Sequence, residues 1–147
     1  MLSSFYFSEK GLKLDVTTIK QTILIPNATP QQVYEAYTDP KKQSEFTESR
    51  ATGKPAVGNK YSTWDGYIFG KYLELDSGKH VVQSWTTTDW EEGYPDSKLE
   101  LTFCAVSKDT EIVMVHSNVP KAQAIEVEQG WREFYWNPLK EYFNRQK

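Results

Sequence analysis

Few residues in this chain have the chemistry of a catalyst. It contains two histidines, His80 and His116, and one cysteine, Cys104. His80 follows directly on the turn Asp76-Ser77-Gly78-Lys79, a position where a histidine is exposed and structural. His116 ends the run Ile112-Val113-Met114-Val115-His116, and alternation puts it on the face of Ile112 and Met114, which points inward. In the plainer reading it is a hydrogen-bonded core residue; in the other it is one of the few polar groups that orient a ligand in an apolar pocket. A thiolate nucleophile with a histidine base needs the two within hydrogen-bond reach. Cys104 has the parity of Glu100 and Thr102, the wet face, so it and His116 are expected on opposite sides of the sheet.

Other constellations are weaker still. Two separated histidines, one cysteine and scattered carboxylates give no metal-ligand spacing, and a single cysteine excludes an intrachain disulfide. Glu91-Glu92 beside Trp90 sits in a polar loop without the asymmetric burial that splits two carboxyl pKa values for acid–base work. Gly53-Lys54-Pro55-Ala56-Val57-Gly58 is not a phosphate-binding loop, because Asn59-Lys60 follows in place of Lys and Ser or Thr. No catalytic residue, metal or cofactor is assigned.

What stands out is ring area. Aromatic residues are 14% of a chain whose hydrophobic total is 38%, so much of its apolar volume is rings, which fill a core or line a concave site. Its 147 residues fit one domain with a real core. The formal charge of −3 is spread without a basic stripe, which argues against nucleic acid. No apolar run reaches bilayer-spanning length, and the N-terminus does not read as a signal peptide, so a cytoplasmic location is expected.

The elements that must position these rings read as α+β. Val16–Ile25 is a β-branched strand ending at Pro26-Asn27, and residues 1–15 form an arm before a single domain over 16–147. Thr29-Pro30 reads as N-cap and first helical residue of a short helix, and Asp39-Pro40 starts a second that runs through Phe46. Tyr67–Leu75 and Val81–Thr87 form a hairpin. Leu99, Leu101 and Phe103 alternate with Glu100, Thr102 and Cys104, and Val119-Pro120 closes the sheet. The remainder is a long C-terminal helix, the one element able to cover a curved sheet. On it Val127, Trp131, Phe134, Tyr135 and Tyr142 fall on or near one face. Gly130 is expected to let the helix lie close to the sheet, and Asn137-Pro138 to cap and restart it, with a kink or break near Trp136–Pro138. A buried Trp131 N–H and Tyr135 hydroxyl would each need a partner, which suits a partly wet cavity.

Several spaced motifs, Asp65 to Leu75 (DGYIFGKYLEL), Val81 to Trp85 (VVQSW), His116 to Pro120 (HSNVP), and Gly130-Trp131 with Tyr135 and Pro138-Leu139, occur in the order of one family. They resemble the C-terminal domain of the activator of the ninety-kilodalton heat-shock protein ATPase, in the START-like, birch-pollen-allergen-like superfamily, over about Val16 to Phe143. The resemblance implies a helix-grip fold: a curved antiparallel sheet around a long C-terminal helix, two short helices after the first strand, and a cavity between. By motif position it implies that Trp85, His116, Trp131 and Tyr135 face that cavity; Phe69, Leu101, Phe103 and Met114 are added from strand parity. It also raises a heat-shock-protein-90-type chaperone as partner. The eukaryotic co-chaperone has a separate N-terminal domain where this sequence has only the arm, so activation does not follow from the resemblance.

The leading expectation is a non-enzymatic domain that binds a small, mostly apolar molecule between sheet and terminal helix. Behind it stand a chaperone-contacting module that modulates an ATPase and, more weakly, an enzyme using His116 as acid or base. The aromatic arm Phe5-Tyr6-Phe7 is expected to pack on a neighbour if the protein is a homodimer rather than a monomer.

Overall fold

In the computed structural model, residues 3–7 and 13–146 are described, with the backbone alone for residues 3–7 and Lys13. The strands β1 (Ser3–Phe7), β2 (Lys13–Ile25), β3 (Lys60–Thr63), β4 (Ile68–Asp76), β5 (His80–Thr87), β6 (Ser97–Val106) and β7 (Asp109–Pro120) form one antiparallel sheet in the order β1-β2-β7-β6-β5-β4-β3. The expected arm therefore contributes an edge strand, Ser3–Phe7 pairing with Lys13–Thr17. The side chains of Phe5, Tyr6 and Phe7, and with them the packing expected of the arm, lie outside the described residues.

Local signals explain most of the elements. In α1 (Pro30–Thr38) the Thr29 Oγ1 accepts from the Gln32 N–H (3.1 Å) while Gln32 Oε1 accepts from the Thr29 N–H (2.9 Å), a reciprocal capping box with Pro30 in the first turn. Asp39 caps α2 (Pro40–Thr47) through the Lys41 N–H (2.9 Å). The β6–β7 ladder pairs Leu99 with His116, Leu101 with Met114 and Phe103 with Ile112, so these residues share the buried inner face. Cys104 is exposed on the other face.

Strand β4 departs from the parity expected for it. Phe69 pairs with Thr86 and is 41% exposed, whereas Ile68 and Tyr72 face inward. Apolar residues occupy both parities here, and a register shift between Tyr72 and Glu74 breaks the alternation. Position 70 has the inner parity of Ile68 and Tyr72 and carries a glycine, where a Cβ would lie 2.0 Å from the Ser84 carbonyl oxygen.

A continuous helical stretch crosses the inner face: a 3₁₀ turn (Lys121–Gln123), α3 (Ala124–Gly130), a π-helical segment (Trp131–Trp136) and α4 (Asn137–Asn144). The expected break is not there. Trp136 (φ −71°, ψ −43°) and Asn137 (φ −66°, ψ −45°) are both helical, and α4 starts at Asn137 from Trp136 without a side-chain cap. The Asn137 N–H instead reaches back five residues to the Arg132 carbonyl. Pro138 then falls in the first turn of α4, where the ladder returns to its ordinary spacing and a missing N–H matters little. Among the described residues no helix is long and apolar enough to cross a membrane.

Candidate functional site

The π-helical segment determines what the C-terminal helix presents. Its wider spacing stacks Trp136 on Trp131 (centroids 5.2 Å, planes 16° apart) and keeps Tyr135 beside Trp131 at 4.6 Å. All three rings are buried, and each polar tip has a side-chain partner. Trp136 Nε1–H donates to Gln21 Oε1 (2.8 Å), and Gln21 Nε2–H donates to the Glu128 carbonyl (2.9 Å), fastening the helix to β2. Tyr135 shares a 2.6 Å hydrogen bond with Thr63. The partners expected from a wet cavity are thus supplied by the protein.

His116 belongs to the same lattice. Trp131 Nε1–H donates to His116 Nδ1 (3.0 Å), which fixes Nδ1 as the unprotonated nitrogen. Nε2–H then donates to Ser97 Oγ (2.8 Å), and Ser97 O–H donates to the Trp85 carbonyl (2.6 Å). The ring is fully buried, and burial pushes its pKa down from 6.5 to about 3, so it is neutral at physiological pH. With both nitrogens engaged, His116 orients Trp131 and holds Trp85 at 4.7 Å edge to face. The same burial raises the Tyr135 hydroxyl above its ordinary value.

Leu101, Phe103 and Met114, expected to line a cavity, are packed in the core at 0–4% exposure, and Phe69 lies outside. Of the residues expected at the site, Trp85, Trp131 and Tyr135 come together around an open cleft of about 470 Å³ between the β3–β5 end of the sheet and the helix. His116 braces its wall from behind.

Four further aromatic residues line the cleft: Trp64, Tyr67, Trp90 and Phe134. Trp64 and Asp65 adopt left-handed backbone (φ 54° and 56°) and Gly66 follows at φ 88°, a hairpin turn closed by the Tyr67 N–H on the Trp64 carbonyl (3.2 Å). That turn sets Trp64 edge-on to Phe134 (5.4 Å, 70°). Trp90, on the β5–β6 loop, meets Trp85 edge to face (5.8 Å, 70°) and is anchored through Nε1–H to the Pro95 carbonyl (3.0 Å). Gln123 ties this loop to the helix by accepting from the Glu91 N–H (2.8 Å). Phe134, half exposed, forms the rim. Gly130 lines the cleft, and a Cβ there would meet only the Phe134 ring, at 3.7 Å; it leaves space in the cleft and is not a close approach of helix to sheet. Turn and loop positions carry no periodicity, so Trp64 and Trp90 had no pattern to reveal them; their signals were the Asp65-Gly66 turn and an unexplained tryptophan in a polar loop.

At the rim Tyr67 O–H donates to Asp89 (2.7 Å), as does Thr87 (2.7 Å), and these bonds hold the Asp89 carboxyl below its usual range. His80, away from the cleft, is half-buried beside Glu100 (3.0 Å). Among the described residues no group of carboxylates, histidines and cysteine is arranged to hold a metal.

The family model described as "Activator of Hsp90 ATPase homolog 1-like protein" matches residues 27–144. The human "Activator of 90 kDa heat shock protein ATPase homolog 1" is 29% identical over 126 residues, which are 86% of this chain and 36% of the human protein, so the chain spans about a third of that relative. The fold is similar to that of an HSP90 activator from Plasmodium falciparum (TM-score 0.78, 22% identity, 86% of this chain and 96% of that one). It is also similar to the Aha1 dimer from Colwellia psychrerythraea (TM-score 0.68, 19% identity, 80% and 90%). With its helix-grip fold and a family match over most of its length, the chain belongs to the Activator of Hsp90 ATPase homolog 1-like protein family.

Proposed function

We propose that this domain binds a small, mostly apolar molecule in the cleft between β3–β5 and the C-terminal helix. The observation that supports it is an open space of about 470 Å³ walled by Trp64, Trp85, Trp90, Trp131, Phe134 and Tyr135. A site of that size and lining takes up apolar surface and leaves orientation to a few polar groups. Titration with a neutral aromatic such as 2-naphthalenemethanol, followed by calorimetry, tests the reading. Saturable one-to-one binding is expected; no heat and no displacement of solvent from the cleft up to the solubility limit would end it.

A second reading is favoured by the family match and by the names of the relatives: a module that contacts a heat-shock-protein-90-type chaperone in the cytoplasm and modulates its ATPase. An ATPase assay with the chaperone of the same organism tests it, and no rate change together with no pull-down would dispose of it. An enzymatic role for His116 has no such support, because both ring nitrogens are engaged and the ring is out of contact with solvent.

A further inference from the structure

The charge around the cleft is one-sided. Of the residues that line it, Glu126 is the one with a formal charge, and no lysine, arginine or histidine is among them. Glu126 is exposed, so its carboxylate stands at the mouth rather than in the interior. A second carboxylate stands close by: Asp89 accepts from Tyr67, which lines the cleft, and the Tyr67 hydroxyl pKa is raised by burial first and then by Asp89 and Glu126. Arg132, the basic residue next along the helix, is paired with Glu128 (3.4 Å) and does not line the cleft.

The walls add to this bias. Trp85 and Trp90, and Trp64 and Phe134, meet at 70°, so rings stand on adjoining walls rather than in one plane. Aromatic faces are electron-rich and attract a cation, most of all one that is weakly hydrated and partly desolvated. Three of the polar tips that line the cleft are already engaged, Trp131 N–H with His116, Trp90 N–H with the Pro95 carbonyl and the Tyr135 hydroxyl with Thr63.

Resting on the cleft reading above, we infer that the preferred ligand is a hydrophobic cation, an aromatic or aliphatic body carrying an ammonium or quaternary ammonium group, with the charge held at the mouth by Glu126 and the surrounding rings. Neutral apolar molecules bind less tightly, and carboxylates such as fatty acids least.

Three probes with one ring system separate the terms: (2-naphthylmethyl)trimethylammonium, 2-naphthalenemethanol and 2-naphthylacetate, each titrated calorimetrically against the whole chain and against Glu126→Gln. The cation is expected to bind about tenfold more tightly than the neutral probe, a difference of about 1.4 kcal/mol. The acetate is expected to bind most weakly. Glu126→Gln, a change at an exposed site, lowers cation affinity about threefold or more and leaves the neutral probe unchanged. Equal affinity for cation and neutral probe, or a cation affinity indifferent to Glu126→Gln, overturns the inference while leaving the apolar cleft standing. Failure of all three probes to bind removes both.

Discussion

Replacing His116 by asparagine tests the buried hydrogen-bond lattice on which the cleft wall depends. Asparagine keeps an acceptor near the Nδ1 position for the Trp131 N–H but cannot be protonated, and it drops the bond to Ser97 Oγ, which continues to donate to the Trp85 carbonyl. At pH 7.5 the variant should be less stable by about 1–3 kcal/mol, the range for a lost buried hydrogen bond with some lost packing. The sign of the pH effect follows from the direction of the shift. The folded-state pKa of about 3 lies below the ordinary 6.5, so the unfolded chain binds the proton first as pH falls. Wild-type stability is therefore intact above about pH 6.5 and is lost progressively toward pH 3. Between pH 7.5 and 4.5 this one group removes about 2.5 kcal/mol from the wild type and nothing from the variant. Carboxylates with lowered pKa values, such as Asp89, weaken both proteins alike and cancel in the comparison. Urea unfolding of both proteins at the two pH values, followed by tryptophan fluorescence, should show the stability gap closing or reversing on acidification. A gap that stays constant would mean that His116 titrates normally and that the enclosed lattice is wrong.

Other substitutions probe the remaining links. Gly130→Ala should raise stability by about 0.5–1 kcal/mol, because Gly130 is helical and a methyl there meets only Phe134, yet should weaken binding of an apolar probe by filling the cleft; thermal unfolding and calorimetry read the two effects separately. Pro138→Ala should change stability by no more than about 1 kcal/mol in urea unfolding, whereas a gain near 3 kcal/mol would show the proline interrupting a regular α-helix. Tyr135→Phe should cost about 1–2 kcal/mol in the same assay by leaving the Thr63 hydroxyl without its 2.6 Å partner.

The hairpin, the alternation of β6 and β7, and both helix caps were legible because each rests on a short-range rule: period two, turn residues, or a polar cap before proline. The inward direction of His116 and the opposite placing of Cys104 followed from the same parity. Phe69 misled because β4 carries apolar residues on both faces and its inward position at 70 is a glycine. Trp136 was missed for a different reason. A helix read at 3.6 residues per turn does not bring residues five apart into register, and only the π-helical segment stacks Trp136 on Trp131. The buried Gln21 that receives its N–H looked like a polar residue in a strand, with nothing in the sequence to pair the two across 115 positions.

The five tryptophan indole N–H signals report directly where an apolar molecule sits. Isotope-filtered NOE spectroscopy with bound 2-naphthalenemethanol should give contacts to Trp64, Trp85, Trp90 and Trp131. Trp136, whose N–H is directed away to Gln21, should give none. Contacts scattered over the surface, or contacts to Trp136 without those four, would contradict the cleft as the binding site.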